Sequence, residues 1–167
     1  KGSLVLDMLK YVTGNDQFNR ALTYYLSKHP YQNVDTHDFY LAFLETLGIN
    51  LDWFFDEWLY RGGEPKYKVV FEELADSAGK KFSRFTVKQT QDVNELVGLF
   101  KMPVWFEVYY SDGTADKKQE WISEQHHTID IPNDGGKKID YALFDPNSEI
   151  IKAVDFPKSF EMLQSQV

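Results

Sequence analysis

The sequence predicts an α+β chain in two parts. A short antiparallel helical array fills residues 1–63. An antiparallel fibronectin- or Ig-like β-sandwich, ending in a C-terminal tail, fills residues 64–167. Three observations carry this prediction. Apolar residues recur at helical spacing before Pro65 and alternate after it. Beyond Pro65, turn chemistry recurs at intervals of roughly 8–12 residues, as in small sandwiches. Between the two lies one aromatic stretch, Leu51-Asp-Trp-Phe-Phe-Asp-Glu-Trp-Leu-Tyr-Arg-Gly-Gly-Glu-Pro65, which reads as a helix that stops abruptly.

In the first part, Leu4, Val5, Met8, Leu9 and Val12 form one helical stripe that ends at Gly14. A second helix starts at Asn15 or Asp16, carries Phe18, Ala21, Leu22, Tyr25, Leu26 and His29 on one side, and stops at Pro30. After an extended linker, Asp35 or Thr36 caps a third helix, with Asp38 placed for a capping-box contact. That helix buries Phe39, Ala42, Phe43 and Leu47, and Gly48 closes it. The fourth helix is the aromatic stretch. Asn50 is its expected N-cap, and Leu51, Phe54, Phe55, Trp58 and Leu59 form its apolar face. Gly62 is the expected left-handed terminator. So many aromatics exceed what about sixty residues bury internally, so one helical face is expected to have lost a partner.

In the second part, Tyr67, Val69 and Phe71 alternate with polar residues, and Asp76-Ser-Ala-Gly79 turns the chain towards Phe85 and Val87. Met102, Val104, Phe106, Val108 and Tyr110 give the clearest alternation, followed by a hairpin at Ser111-Asp112-Gly113 and a polar return towards Trp121. Ile129 and Ile131 precede a second hairpin signal at Asn133-Asp134-Gly135-Gly136, completed by Ile139, Tyr141 and Leu143. An edge strand is expected over Glu149 to Val154, then a short helix or frayed tail from Pro157.

Composition narrows the function classes. A net charge of −8 argues against nucleic acid or an anionic membrane as the main partner, since both need a basic footprint. The absence of cysteine removes disulfides, thiolate metal sites and cysteine nucleophiles. No apolar run approaches the roughly 20 residues that span a bilayer.

The search for catalytic motifs finds no HExxH, phosphate-binding glycine loop, GxGxxG or GxSxG. His126 and His127 are adjacent on a strand and so point to opposite faces. An exposed polar strand start is the better reading. His29, at a helix end, suits the negative end of the macrodipole, and His37 sits solvated in a first turn. Asp52 and Asp56 share a helix face with Glu57 beside them, and without a nearby histidine they read as a solvated acidic face. Trp105 and Tyr109 lie on the strand face opposite Met102, Val104 and Phe106. With Tyr110 and Trp121 they could form a sugar-stacking platform, although packing against another domain is preferred. The residues themselves therefore assign no catalytic, cofactor-binding or metal position.

Several motifs, taken in order, carry a family resemblance. Lys1-Gly-Ser-Leu-Val-Leu-Asp-Met-Leu9 resembles the helix that follows the catalytic tyrosine of M1-family zinc aminopeptidases. His29-Pro-Tyr-Gln-Asn-Val-Asp-Thr-His-Asp-Phe-Tyr-Leu-Ala-Phe43 is similar to the helix pair after it. The run from Trp58 to Val69 resembles that family's Trp-x-x-Gln-x-Gly-aromatic-Pro junction, with Arg61 in place of Gln and Glu64 in place of an aromatic residue. Phe85-Thr-Val-Lys-Gln89 and Met102-Pro-Val-Trp-Phe-Glu-Val108 resemble the first strands of the sandwich that follows the catalytic domain.

The resemblance implies that residues 1–63 are the helical end of a catalytic domain and 64–167 the sandwich after it. It implies a hydrolase parent, a gluzincin metallopeptidase that removes N-terminal residues from peptides. In the family, zinc polarises the scissile carbonyl and activates water while a carboxylate moves the proton. The zinc ligands, the general base and the catalytic tyrosine are expected upstream of Lys1, as is any signal sequence. The expected partners are then the upstream catalytic domain of the same polypeptide and, in the parent, a peptide substrate. The chain alone is expected to provide cleft wall and buttress and to be catalytically incompetent. The alternatives are a non-catalytic relative of the same fold, or a free-standing sandwich module that binds protein or glycan.

Overall fold

Gly2–Thr13 forms α1, with Val5, Met8, Leu9 and Thr13 as its buried face and Gly14 as its C-cap. The computed structural model describes residues 1–166. Helix α2, Asn15–Lys28, buries Phe18 and Ala21, while Leu26 of the predicted stripe is 63% exposed. Helix α3, Thr36–Leu47, begins with a complete capping box. The Asp35 carboxylate accepts from His37 N–H at 2.8 Å and Asp38 N–H at 3.1 Å, and Asp38 accepts from Asp35 N–H at 3.0 Å. Gly48 closes α3 in the left-handed region at φ 67°. Replacing Asp35 by alanine is expected to cost about 1 kcal/mol, with asparagine nearly neutral, in thermal denaturation followed by far-UV dichroism.

The aromatic stretch departs from a plain helix. Asp52–Phe55 forms α4, and Asp56–Tyr60 continues it as a π-helical turn. Asn50 does accept the Asp52 N–H, at 2.8 Å, although Leu51 occupies the cap position. The wider i→i+5 turn lags behind α-helical rotation, so Leu51, Phe54, Phe55 and Trp58 are buried while Leu59 is carried out to 44% exposure. The terminator also differs. Arg61 is already extended at φ −97°, and the left-handed residue is Gly63 at φ 85°, one position beyond the expected Gly62.

The aromatic rings of this first unit interlock. Phe18 and Phe39 lie 5.9 and 5.1 Å from Phe43, Tyr40 lies 5.5 Å from Phe55, and Phe54 lies 6.4 Å from Trp58. Offset and edge-on rings of this kind add to plain area burial. The unit extends over Lys1–Gly63, and a second compact unit covers Glu64–Val167.

The second unit consists of two sheets. Strands β1 (Lys66–Ala75), β2 (Lys81–Gln89), β5 (His126–Pro132) and β7 (Ala153–Asp155) make a four-stranded sheet in the order β5-β2-β1-β7. Strands β3 (Met102–Tyr110), β4 (Ala115–Ile122) and β6 (Ile139–Phe144) make a three-stranded sheet in the order β4-β3-β6. Every pairing is antiparallel except β1 with β7, which run parallel over three residues. Helix α5, Phe160–Gln164, follows β7.

Three local readings change here. The turn Asn133-Asp134-Gly135-Gly136 reverses the chain, with the Asn133 side chain donating to Lys137 C=O and accepting Lys137 N–H, each at 2.8 Å. It is nevertheless no hairpin, because β5 and β6 belong to different sheets. A tight turn fixes a reversal, and burial of both flanking strands decides which sheet each joins. Within β6, the buried side chains are Ile139, Ala142 and Phe144 rather than Ile139, Tyr141 and Leu143. The cause is a register shift at Tyr109/Tyr110, where Tyr110 pairs with Ile139 but Tyr109 pairs with Tyr141. The extra residue turns everything after it to the other face. Finally, the last strand is only Ala153–Asp155, later and shorter than Glu149 to Val154.

Buried polar side chains secure the long β2–β3 connection. Gln89 Nε2 donates to Phe100 C=O at 2.8 Å and its Oε1 accepts Phe100 N–H at 2.9 Å, while Gln91 Nε2 donates to that same Oε1 and to Gly98 C=O. Both glutamines are buried. The β3–β4 turn is held by Asp112, which accepts from Thr114 N–H and hydroxyl and pairs with Lys137 at 3.0 Å. These contacts, the Thr114 hydroxyl first, lower the Asp112 pKa from 3.8 to about 2. A depressed carboxyl pKa stabilises the fold above the unfolded value and loses that effect as pH falls towards the folded one. Carboxyl NMR of Asp112 is therefore expected to titrate near pH 2. The turn amides should shift between about pH 4 and 2, and Asp112→Asn should remove that response.

Candidate functional site

Two surfaces gather side chains of chemical interest, one in each unit. The first is the outer face of the three-stranded sheet. Residues Trp105, Glu107 and Tyr109 of β3 alternate away from the core, and the β6 register shift places Tyr141 beside Tyr109. The two tyrosine rings stack at 4.6 Å with 19° between planes. Glu107, although on the outer face, is only 6% exposed. It accepts the Tyr109 hydroxyl at 2.6 Å and pairs with Lys117, opposite it on β4, at 2.9 Å.

This arrangement fixes proton states. The hydrogen bond to Glu107, aided by burial, raises the Tyr109 pKa, and the same carboxylate raises that of Lys117. Tyr109 therefore stays a neutral donor and Lys117 an ammonium, so neither is a base or an amine nucleophile near neutral pH. Trp105 and Tyr109 are both half-buried, with Tyr109 covered on one side by Tyr141. A sugar platform needs open ring faces; Tyr110 is buried and Tyr141 covers one face of Tyr109, whereas Trp121 is 45% exposed. The Glu107–Lys117 pair had no sequence signal beyond opposite charges on neighbouring strands.

The second surface is a groove of about 450 Å³ in the helical unit, lined chiefly by Val5, Leu6, Leu9, Phe39, Phe54 and Phe55. Its lining is mostly apolar, and Asp35 at its rim is committed to the α3 cap. Such a groove can bind apolar surface, and the polar side chains in its lining are those of Tyr25, Asp35 and Thr36.

The remaining residues singled out from sequence separate in space. Asp52 accepts from Asn50 Nδ2 at 3.0 Å and Asp56 pairs with Arg61 at 2.7 Å, so the two carboxylates are held by different partners. Burial, then a hydrogen bond to Asp52, raises the Tyr40 pKa. His29 Nδ1 lies 3.4 Å from Gln32 Oε1, and His37 stacks on Tyr40 at 5.9 Å. His126 is exposed. His127 Nε2 accepts both Ser123 and Glu124 N–H, at 2.9 and 2.8 Å, which makes it the clasp of the β4–β5 turn. Among the described residues no three His, Asp or Glu side chains converge in a way that could hold a metal ion. This donor set does not fit a zinc centre. No described helix is long and apolar enough to cross a membrane.

Comparison with known proteins places this architecture. Residues 1–58 match the peptidase family M1 domain. Aminopeptidase N of Lactococcus lactis subsp. lactis is 36% identical over 76 residues, which is 46% of this chain and 9% of that protein. Aminopeptidase 2 of Candida albicans is 30% identical over 133 residues, 79% of this chain and 14% of that protein. The chain thus spans a small part of the length of either relative. A crystal structure of Legionella pneumophila aminopeptidase A in complex with aspartic acid superposes with a TM-score of 0.77. That match covers 98% of this chain and 18% of the other at 16% identity, which shows a shared fold. The family domain matched over residues 1–58, the two aminopeptidases aligned in sequence and the shared fold of a third together support a fragment of an M1-type aminopeptidase.

Proposed function

We propose that the chain is a scaffold portion of a zinc-dependent aminopeptidase that removes N-terminal residues from peptides, and that it is not catalytically competent alone. The observation that carries this reading is the M1 domain match over residues 1–58. On this reading the helices wall one side of the parent's active-site cleft, and the sandwich buttresses the catalytic domain. The zinc ligands and the general base belong to another part of a longer polypeptide, since the 167 residues contain no HExxH. The surplus of exposed apolar side chains on the helices, Leu4, Leu6, Leu26 and Leu59 among them, supports a covering partner.

Chromogenic aminoacyl p-nitroanilides provide the test. The full-length parent is expected to turn them over, to lose activity to a zinc chelator and to recover it with added zinc. The 167-residue chain is expected to give no turnover with or without zinc. Turnover by the chain alone, or a parent indifferent to the chelator, would overturn the reading. Hydrogen exchange addresses the scaffold role separately. Amides of the first helices should exchange more slowly in the parent than in the isolated chain, and equal rates would remove the scaffold claim.

A further inference from the structure

We propose that the uncovered edge of β1 takes up an extended, lysine-bearing polypeptide segment as an additional strand. Strand β1 pairs with β2 from Tyr67 to Ala75, but on its other side β7 reaches only Lys66–Lys68. After Asp155 the chain turns inward, bringing the Phe156 ring 6.3 Å from the fully buried Phe85. Among the described residues, β7 pairs no further along β1 than Lys68 with Asp155, a parallel bridge that takes up the Val69 N–H and leaves the edge beyond it unpaired.

The direction of the free groups follows from the ladder. Lys66 C=O accepts Thr90 N–H on the β2 side, and Pro65 C=O accepts Ala153 N–H on the β7 side. The β1–β2 register runs without a shift, so even-numbered residues face β2 and odd-numbered ones face outward. Phe71, Glu73 and Ala75, together with the Val69 C=O, therefore present hydrogen-bonding groups to an incoming strand, the geometry of β-augmentation.

Charge selects the occupant. Glu72 and Glu73 project to opposite faces, are exposed, and form no ion pair among the described residues. Arg84, the cross-strand neighbour of Glu72, is committed to Asp130 by two hydrogen bonds of 2.7 Å. A second copy pairing antiparallel over residues 69–75 would set Glu72 against Glu72, a destabilising like-charge pair. A foreign segment with two adjacent lysines meets one glutamate on each face. β-Branched neighbours then cover the 40%-exposed Val70, the half-buried Phe71 and Leu74. This proposal does not depend on the peptidase reading.

The test titrates the full chain into a fluorophore-labelled, acetylated and amidated peptide, Thr-Val-Ile-Lys-Lys-Val-Thr, at low salt by anisotropy. Saturable binding is expected, with amide NMR shifts confined to residues 69–75. The double variant Glu72→Lys/Glu73→Lys should weaken binding at least about tenfold. Glu73→Pro should abolish it while leaving the far-UV spectrum intact, because that N–H faces away from β2. If the proline variant misfolds, the same peptide N-methylated on its edge-facing amides decides the question against the unmodified chain, where it should not bind. Lack of binding, equal binding by the N-methylated peptide, or a dimer formed through β1 would each overturn the proposal.

Discussion

Replacing Asp145 by alanine is expected to destabilise the sandwich unit by about 3–5 kcal/mol, the range for breaking one side of a buried ion pair. The Asp145 side chain is fully buried and that of its partner Lys152 is 8% exposed. Asp145 also accepts N–H groups from Glu149 at 3.0 Å and Ile150 at 3.3 Å, while its own N–H donates to Trp105 C=O. Alanine thus strands an ammonium and two backbone donors together, and each loses its partner where water is scarce. Asp145 sits at φ 46°, a region that asparagine tolerates, so Asp145→Asn separates charge from conformation. Urea denaturation should place asparagine between the native chain and alanine. The double variant Asp145→Asn/Lys152→Met should recover part of the loss, because the uncompensated charge is gone. Equal stability of the alanine variant and the native chain would show that water reaches this pair.

Phe106→Ala is expected to cost about 3–5 kcal/mol, the usual range for a buried phenylalanine. Its ring is fully buried and lies 5.1 Å from Phe85 of the facing sheet and 5.5 Å from Phe144 of its own. Phe85 in turn touches Phe71 at 5.0 Å, and Phe144 touches Tyr67 at 5.4 Å. Phe106 is therefore one of the rings through which the two layers interlock, beside the Tyr67–Phe144 contact, and its loss opens a cavity between the sheets. Phe106→Leu should retain part of the lost stability. Hydrogen exchange at Val104 and Val108 would report the sandwich directly, without interference from separate unfolding of the helical unit. A uniform loss of protection in both units would instead mean that they unfold as one.

The limits of legibility are specific. The capping box at Asp35 and the left-handed Gly48 were readable because each depends on contacts within a few residues of chain. The core alternation of β3, from Met102 to Tyr110, was readable because a strand with one buried face writes its period into the sequence. The M1 resemblance was readable because its motifs occur in order along the chain, and the family match and aligned aminopeptidases agree with it.

What tertiary structure alone decided begins with the π-helical turn, which exposes Leu59 and moves the terminator to Gly63. It includes the single register shift that puts Tyr141 rather than Ala142 on the outer face. It also includes the crossing between β5 and β6, which a turn signal presents as a hairpin. The polar pairs Glu107–Lys117 and Asp145–Lys152 complete the set. Local sequence fixes periodicity and caps because these arise from sterics and hydrogen bonds between near neighbours. Sheet membership, register and the partners of buried charges depend on which distant surfaces come together, and that is set by packing the whole core.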